Sequence, residues 1–258
     1  MKLLVTSLFI SFAINIMAQN TFIAHRGASY LAPENTVASA KLAWELGADA
    51  VEVDVHLSKD NRIMVIHDSD TKRTCSEKKN LIIEKTPSIL LRDLDAGSWK
   101  GEEFKGEKIP YLNEIIETIP DEKELVVEIK CGKEILHPLS LIMEKTAKVN
   151  QIVFISFDWN VIVETKKLFP ENKCYWLSSS KTGLSKKIEE AAAAGLDGIN
   201  LKYSIIDEEV MRLAKKDNLD VLTWTVDDPN EAKRLTDLGV SGITTNRPKW
   251  LKEEMVKL

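Results

Sequence analysis

The sequence predicts an α/β fold, a closed (β/α)8 barrel of the TIM type with a small inserted segment after the second strand. Eight short apolar runs alternate with eight amphipathic, helix-like stretches, which is the order a parallel barrel needs. The 258 residues suit one such barrel of roughly 250 residues better than two separate cores. A doubly wound open sheet would share this local pattern, but no glycine-rich dinucleotide loop follows the first strand.

The expected strands are Thr21–Arg26, Ala50–Leu57, Leu125–Lys130, Ile152–Phe157, Lys173–Leu177, Gly198–Lys202, Asp220–Val226 and Gly242–Thr245. The expected helices are Asn35–Leu46, Leu112–Thr118, Lys133–Val149, Trp159–Leu168, Leu184–Ala194, Asp207–Lys216, Asn230–Leu238 and Pro248–Lys257. Local chemistry agrees with these boundaries. Asp228-Pro229 followed by Glu231 supplies an N-cap, a proline at the first helical position and a capping acid. Gly47, Gly195 and Gly239 stand just past helices, where left-handed caps are common. One stretch breaks the rhythm. Residues 70–109, about 40 in number where a connection of a few would serve, read as an insertion capping the barrel mouth.

Composition sets broad limits. With 44% hydrophobic and 29% charged residues the chain is an ordinary globular one. Its net charge of −5 argues against binding nucleic acid or an anionic membrane by bulk electrostatics. Lys2, the apolar run from Leu3 to Met17 and the small Ala18 have the form of a cleaved export signal over residues 1–18. The run is short for a membrane span, so residues 19–258 are expected to form a single exported domain, periplasmic or secreted, without stable membrane insertion. Cys75, Cys131 and Cys174 are odd in number and widely spaced, which suits buried thiols better than a disulfide scaffold or a zinc site.

Alternation along the strands points to a site. In Val51–His56 the three valines share one face, while Glu52, Asp54 and His56 share the other. If the valines pack on helices, the carboxylates enter the barrel lumen, where unpaired charge is strongly disfavoured. Leu125–Lys130 repeats the pattern and brings Glu128 and Lys130 to the same side. Glu52, Asp54 and Glu128 would then suit one hard divalent cation, Mg2+ or Ca2+, rather than zinc. An internal ionic network of Glu128, Lys130 and Arg26 is the alternative. His25 ends the first strand and His67 ends an extended run, Arg62–His67. Two imidazoles at one barrel mouth suit an acid–base couple. With a fixed positive charge at Arg26, these are the parts of metal-assisted phosphodiester chemistry. Phe157 ends the fourth expected strand and Trp224 lies on the seventh, and they offer an apolar wall for substrate carbons, or simply core packing.

The ordered set His25-Arg26-Gly27-Ala28-Ser29, Pro33-Glu34-Asn35-Thr36, Glu52-Val53-Asp54-Val55 and His67-Asp68 resembles the glycerophosphodiester phosphodiesterases. Ile109-Pro110, Val127-Glu128-Ile129-Lys130, Trp224-Thr225-Val226 and Thr245-Asn246-Arg247-Pro248 extend the likeness over the chain beyond the signal. The resemblance implies a TIM barrel that hydrolyses glycerophosphodiesters to glycerol 3-phosphate and an alcohol. It implies His25 and His67 as the acid–base pair, Glu52, Asp54 and Glu128 as metal ligands, and Arg26 and Lys130 as phosphate contacts. Two positions depart from the family pattern. Asn246 stands where an Asp is frequent and is expected to bear on turn geometry alone. His56 replaces another polar residue and could add a ligand or a hydrogen-bond donor beside the metal. Glu34 is expected at a helix start or behind the site. Two other functions fit the same residues: a phospholipase-like phosphodiesterase using Ile89-Leu90-Leu91 and Trp99 as a lipid-facing rim, and a non-catalytic periplasmic binding module.

Overall fold

The computed structural model describes residues 20–75 and 80–258, so the expected signal segment lies outside the described residues. Eight parallel strands run in ring order: β1 (Thr21–Ala24), β2 (Ala50–Leu57), β4 (Glu124–Ile129), β5 (Ile152–Ser156), β6 (Cys174–Ser178), β7 (Gly198–Lys202), β8 (Asp220–Trp224) and β9 (Gly242–Thr245). β9 pairs with β1, and β1 pairs with β2 through Ile23 opposite Ala50, so the sheet closes and the open-sheet alternative falls away. A short strand, β3 (Ile63–Val65), folds back antiparallel on the C-terminal half of β2, with Val65 opposite Val55 and Ile63 opposite Leu57.

Helices α1 (Val37–Glu45), α3 (Leu112–Glu117), α4 (Leu136–Met143), α5 (Trp159–Leu168), α6 (Leu184–Ala193), α7 (Glu208–Lys216), α8 (Pro229–Leu238) and α9 (Pro248–Met255) follow the barrel strands, and α2 (Ser88–Leu91) lies in the insertion. Two boundaries differ from expectation for reasons of local chemistry. α1 begins at Val37 because Thr36 caps it, its hydroxyl accepting from Ser39 N at 3.1 Å, while Asn35 is left-handed at φ 58°. The long helix expected over Lys133–Val149 is a 3-10 turn (Lys133–Ile135) and then α4. Beyond its end the Thr146 hydroxyl accepts from Lys148 N, an alternative to the helical bond.

Strand alternation divides the interior into two cores. Val51, Val53, Val55, Leu125, Val127, Ile129 and Phe154 point outward and pack under the helices. Ile23, Ala50, Val126, Val153, Ile155, Tyr175, Leu177 and Leu222 fill the lumen. Glu52 and Glu128 follow Ala50 and Val126 by two residues, so an apolar plug closes the lumen below the acidic side chains.

The insertion is a packed element. Met64, Ile66, Cys75, Ile83, Leu91, Leu94, Ala96 and Ile109 form a small core of their own. Its Lys100 Nζ donates to Ser29 O at 2.7 Å, which ties it to the loop after β1 at the C-terminal mouth. Leu91 belongs to that core, so of the expected apolar rim only Ile89 (71% exposed) and Leu90 (53%) face solvent fully, with Trp99 at 37%. Among the described residues no helix is long and apolar enough to cross a membrane. Cys174 is buried, and burial pushes its thiol up to about 12. Leu91→Ala is expected to cost about 2–5 kcal/mol, because the cavity would open in a core too small to collapse around it. Chemical denaturation of the variant against wild type measures this.

Candidate active site

The site is built where β2 and β4 end. Asp54 stands opposite Glu128 in the parallel ladder, and Glu52 precedes Asp54 on the same lumenal face. One oxygen from each of the three carboxylates lies within 4.8 Å of the others. Glu52 and Asp54 are buried at 3% and 1% exposure, with Glu128 half-buried.

Each carboxylate is aimed by a neighbour. Arg26 N donates to Glu52 Oε2 at 2.9 Å from a left-handed backbone (φ 57°). Gly27 continues that turn at φ 79°, and a Cβ there would meet the Ser39 hydroxyl at 2.1 Å, so the loop can dock on α1 only with glycine. Asn35 holds Asp54 from two sides: its Nδ2 donates to Asp54 Oδ2 at 2.9 Å, and its Oδ1 accepts from Asp54 N at 3.0 Å. Lys130 Nζ lies 2.9 Å from Glu128 and 3.6 Å from Asp54. Arg26 Nε is 3.3 Å from Asp54, and its Nη1 donates to Glu34 at 2.9 Å. The ionic network expected as the alternative therefore exists, but it leaves the cluster unbalanced. Three carboxylates face two cations, and Glu52 Oε1 is buried without a hydrogen-bond partner. Burial, then Asp54 and Glu128, push the Glu52 pKa well above the usual range. Burial, then Asp54, push that of Glu128 up to about 7. An orphaned carboxylate oxygen inside an all-oxygen, net-negative set fits a hard divalent cation.

The two histidines are held differently. His25 lies just beyond β1, and its Nδ1 is 2.8 Å from Asn246 Oδ1. His67 lies just beyond β3, with Nδ1 2.7 Å from Asp68 Oδ1. In both rings Nε2 is the nitrogen without a partner among the described residues. Burial, then Arg26, lower the His25 pKa. Arg73 from the insertion donates to Asp68 at 2.7 Å and to both oxygens of Glu34 at 2.8 Å. Its hydrogen bonds hold the Asp68 carboxyl well below the usual range. Glu34 is thus an ionic bridge between Arg26 and Arg73. His56 does not join the carboxylates: its Nε2 donates to His67 O at 3.0 Å, supporting the backbone under that imidazole. Asn246 does more than shape a turn, since it contacts His25 directly.

Phe157 and Trp224 meet edge to face, ring centroids 5.5 Å apart at 86°, just past β5 and at the end of β8. Trp224 packs against the lumenal core, whereas Phe157 is 44% exposed.

A closed (β/α)8 barrel with charged groups converging at its C-terminal mouth defines an enzyme of the TIM-barrel class. The model of the glycerophosphoryl diester phosphodiesterase family matches residues 25–250. A glycerophosphodiester phosphodiesterase of Caldanaerobacter subterraneus is 36% identical over 240 residues, covering 89% of this chain and 95% of that protein. A mouse lysophospholipase D is 26% identical, covering 90% and 84%. A phosphodiesterase structure from Oleispira antarctica, in complex with the product sn-glycerol-3-phosphate, superposes with a TM-score of 0.84 at 31% identity, covering 92% and 96%. The chain belongs to the glycerophosphoryl diester phosphodiesterase family and is an enzyme of it.

Asn35→Ala removes two buried hydrogen bonds to Asp54 and places alanine at positive φ. A loss of about 2–4 kcal/mol is expected, measured by denaturant unfolding of the apo protein.

Proposed function

We propose that the protein hydrolyses glycerophosphodiesters to glycerol 3-phosphate and an alcohol, using one divalent cation and the His25–His67 pair. The observation that carries this is the three-carboxylate cluster with its orphaned Glu52 oxygen, with His25 directly before Arg26, whose amide binds Glu52, and His67 lining a small cavity with Asn35, which binds Asp54. Glu52, Asp54 and Glu128 would hold Mg2+ or Ca2+, which when bound supplies Lewis-acid polarisation of the phosphoryl group. Charge supports the substrate class. With all three carboxylates ionised around a divalent ion, they, Arg26 and Lys130 would sum to one positive charge, the complement of a phosphodiester monoanion.

Arg26 and Lys130 neutralise charge building on the equatorial phosphoryl oxygens. They are held at the cluster by the acidic groups they now pair with, so substrate exchanges partners at cations already in position. His25 takes the proton from the nucleophile, and His67 gives one to the departing alcohol. Asp68 holds the His67 ring through Nδ1, while burial, then Arg26, favour neutral His25, as a base requires. Phe157 and Trp224 offer a wall for the glycerol carbons.

Ile89 and Leu90 keep a second reading in view, hydrolysis of lysolipids, as the mouse relative's name describes for that protein. The test is product release from glycerophosphocholine and from lysophosphatidylcholine, with Mg2+, Ca2+ or chelator. Glycerol 3-phosphate from the first substrate, lost on chelation, is expected. Chelator-insensitive turnover contradicts the metal role, free choline phosphate means the other P–O bond is cut, and faster turnover of the lysolipid favours the second reading. His25→Ala and His67→Ala are each expected to lower kcat by roughly 10²–10⁴-fold.

Residues 1–18 are proposed as a cleaved export signal, leaving a single barrel domain, 19–258, to act outside the cytoplasm. Mass spectrometry of protein recovered from its native host should give Gln19 as the first residue; an intact Met1 end contradicts this.

A further inference from the structure

His25 does not stand alone behind the site. Its Nδ1 meets Asn246 Oδ1, and Asn246 is in turn fixed by Asp227 in the loop after β8. An amide can present either oxygen or nitrogen to an imidazole, so the contact alone leaves the tautomer open. Asp227 closes that choice. One of its carboxylate oxygens accepts from Asn246 N at 2.8 Å and from the Thr245 hydroxyl at 2.7 Å, and the other accepts from Asn246 Nδ2 at 2.6 Å. An ionised carboxylate only accepts, so the amide nitrogen must face Asp227 and the amide oxygen must face His25. The Ser29 hydroxyl lies 3.3 Å from the same Asn246 oxygen and can donate to it, which agrees.

We infer that Asn246 and Asp227 are positioning residues which hold His25 as the Nδ1-protonated tautomer, so that Nε2 carries the lone pair that accepts the proton in phosphodiester hydrolysis. An amide oxygen accepts and cannot donate, so Nδ1 must carry the hydrogen, and the neutral ring then has its free pair on Nε2. The arrangement orients without adding charge. A carboxylate in the place of Asn246 would orient His25 equally well but would favour the imidazolium, which cannot act as a base. His67, by contrast, has the carboxylate of Asp68 at the equivalent nitrogen. The other charged groups acting on His25 are Arg26, which disfavours its protonation, and Asp54 and Glu34, which favour it.

The inference rests on the reading of His25 as the base, and its test separates the two. Nitrogen NMR of the full chain with 15N-labelled histidine, recorded where His25 is neutral, reports the tautomer without any need for activity. The expected spectrum of the wild type shows Nδ1 protonated and Nε2 bare. Asn246→Leu should let both tautomers appear and lower kcat roughly 10- to 10³-fold with KM little changed. Asp227→Asn keeps its oxygen on the Asn246 and Thr245 donors and turns its NH2 toward Asn246, so the Asn246 amide should flip and the Nε2-protonated tautomer should grow, with a loss of kcat. The exchange Asn246→Asp with Asp227→Asn should restore the single tautomer and move the acid limb of the kcat profile to higher pH, an effect that loss of packing would not produce. A wild-type His25 protonated at Nε2 overturns the inference, as does Asn246→Leu with tautomer and kcat intact. Should Asn246→Leu fail to fold, the wild-type spectrum and Asp227→Asn decide the matter. Wild type with the expected tautomer and no glycerophosphodiester hydrolysis would reject the functional reading alone.

Discussion

Three carboxylates forced together at the ends of two adjacent strands, in a lumen plugged by apolar side chains below, are the constraint around which the rest of this barrel is arranged. Like charges a few ångströms apart and out of water repel strongly, and among the described residues two side-chain cations stand against them. Such an arrangement lowers the stability of the apo fold, and a fold selected only for stability would not keep it. The surrounding structure absorbs the repulsion with directed donors: the Arg26 amide on Glu52, the Asn35 amide on Asp54 and the Lys130 ammonium on Glu128. Each comes from backbone that leaves regular structure just beyond a strand end or before a helix. The strands themselves can stay regular and buried while the short loops do the aiming.

The insertion extends this logic. Without it the arms carrying His25 and His67 would be separate loops around one mouth. Arg73 joins them by pairing with Glu34, which holds Arg26, and with Asp68, which holds His67. The insertion has its own apolar core and a tie to the β1 loop, so Arg73 is carried by a packed element. The alignment of His25 and His67 is thereby coupled to one segment.

Much of this was legible in the sequence, because it depends on periodicity. A period of two along Val51–His56 and Leu125–Lys130 assigns faces, and in a closed barrel the face without helices must be the lumen. That reasoning places Glu52, Asp54 and Glu128 correctly as neighbours, and the barrel strands fall within a residue or two of their expected limits. What strand alternation does not report lies in loops, where direction follows single dihedrals and contacts distant in sequence. Nothing in the spacing shows that Asn246 reaches His25, 221 positions away, or that His56 turns to a backbone carbonyl instead of joining the acidic cluster. Arg73 sits in the irregular insertion, with no periodicity to mark it. The left-handed turn at Arg26 and Asn35 also shortened the first expected strand and helix, since both residues leave regular structure to serve the site.

The most direct measurement is a crystal structure of the protein soaked with Mn2+, as an anomalous-scattering stand-in for Mg2+ or Ca2+, together with glycerol 3-phosphate. The account predicts one anomalous peak coordinated by Glu52, Asp54 and Glu128, with phosphate oxygens beside Arg26 and Lys130 and within reach of His25 and His67. Glycerol 3-phosphate bound with no peak between those carboxylates, their pairing to Arg26 and Lys130 unchanged, would contradict it.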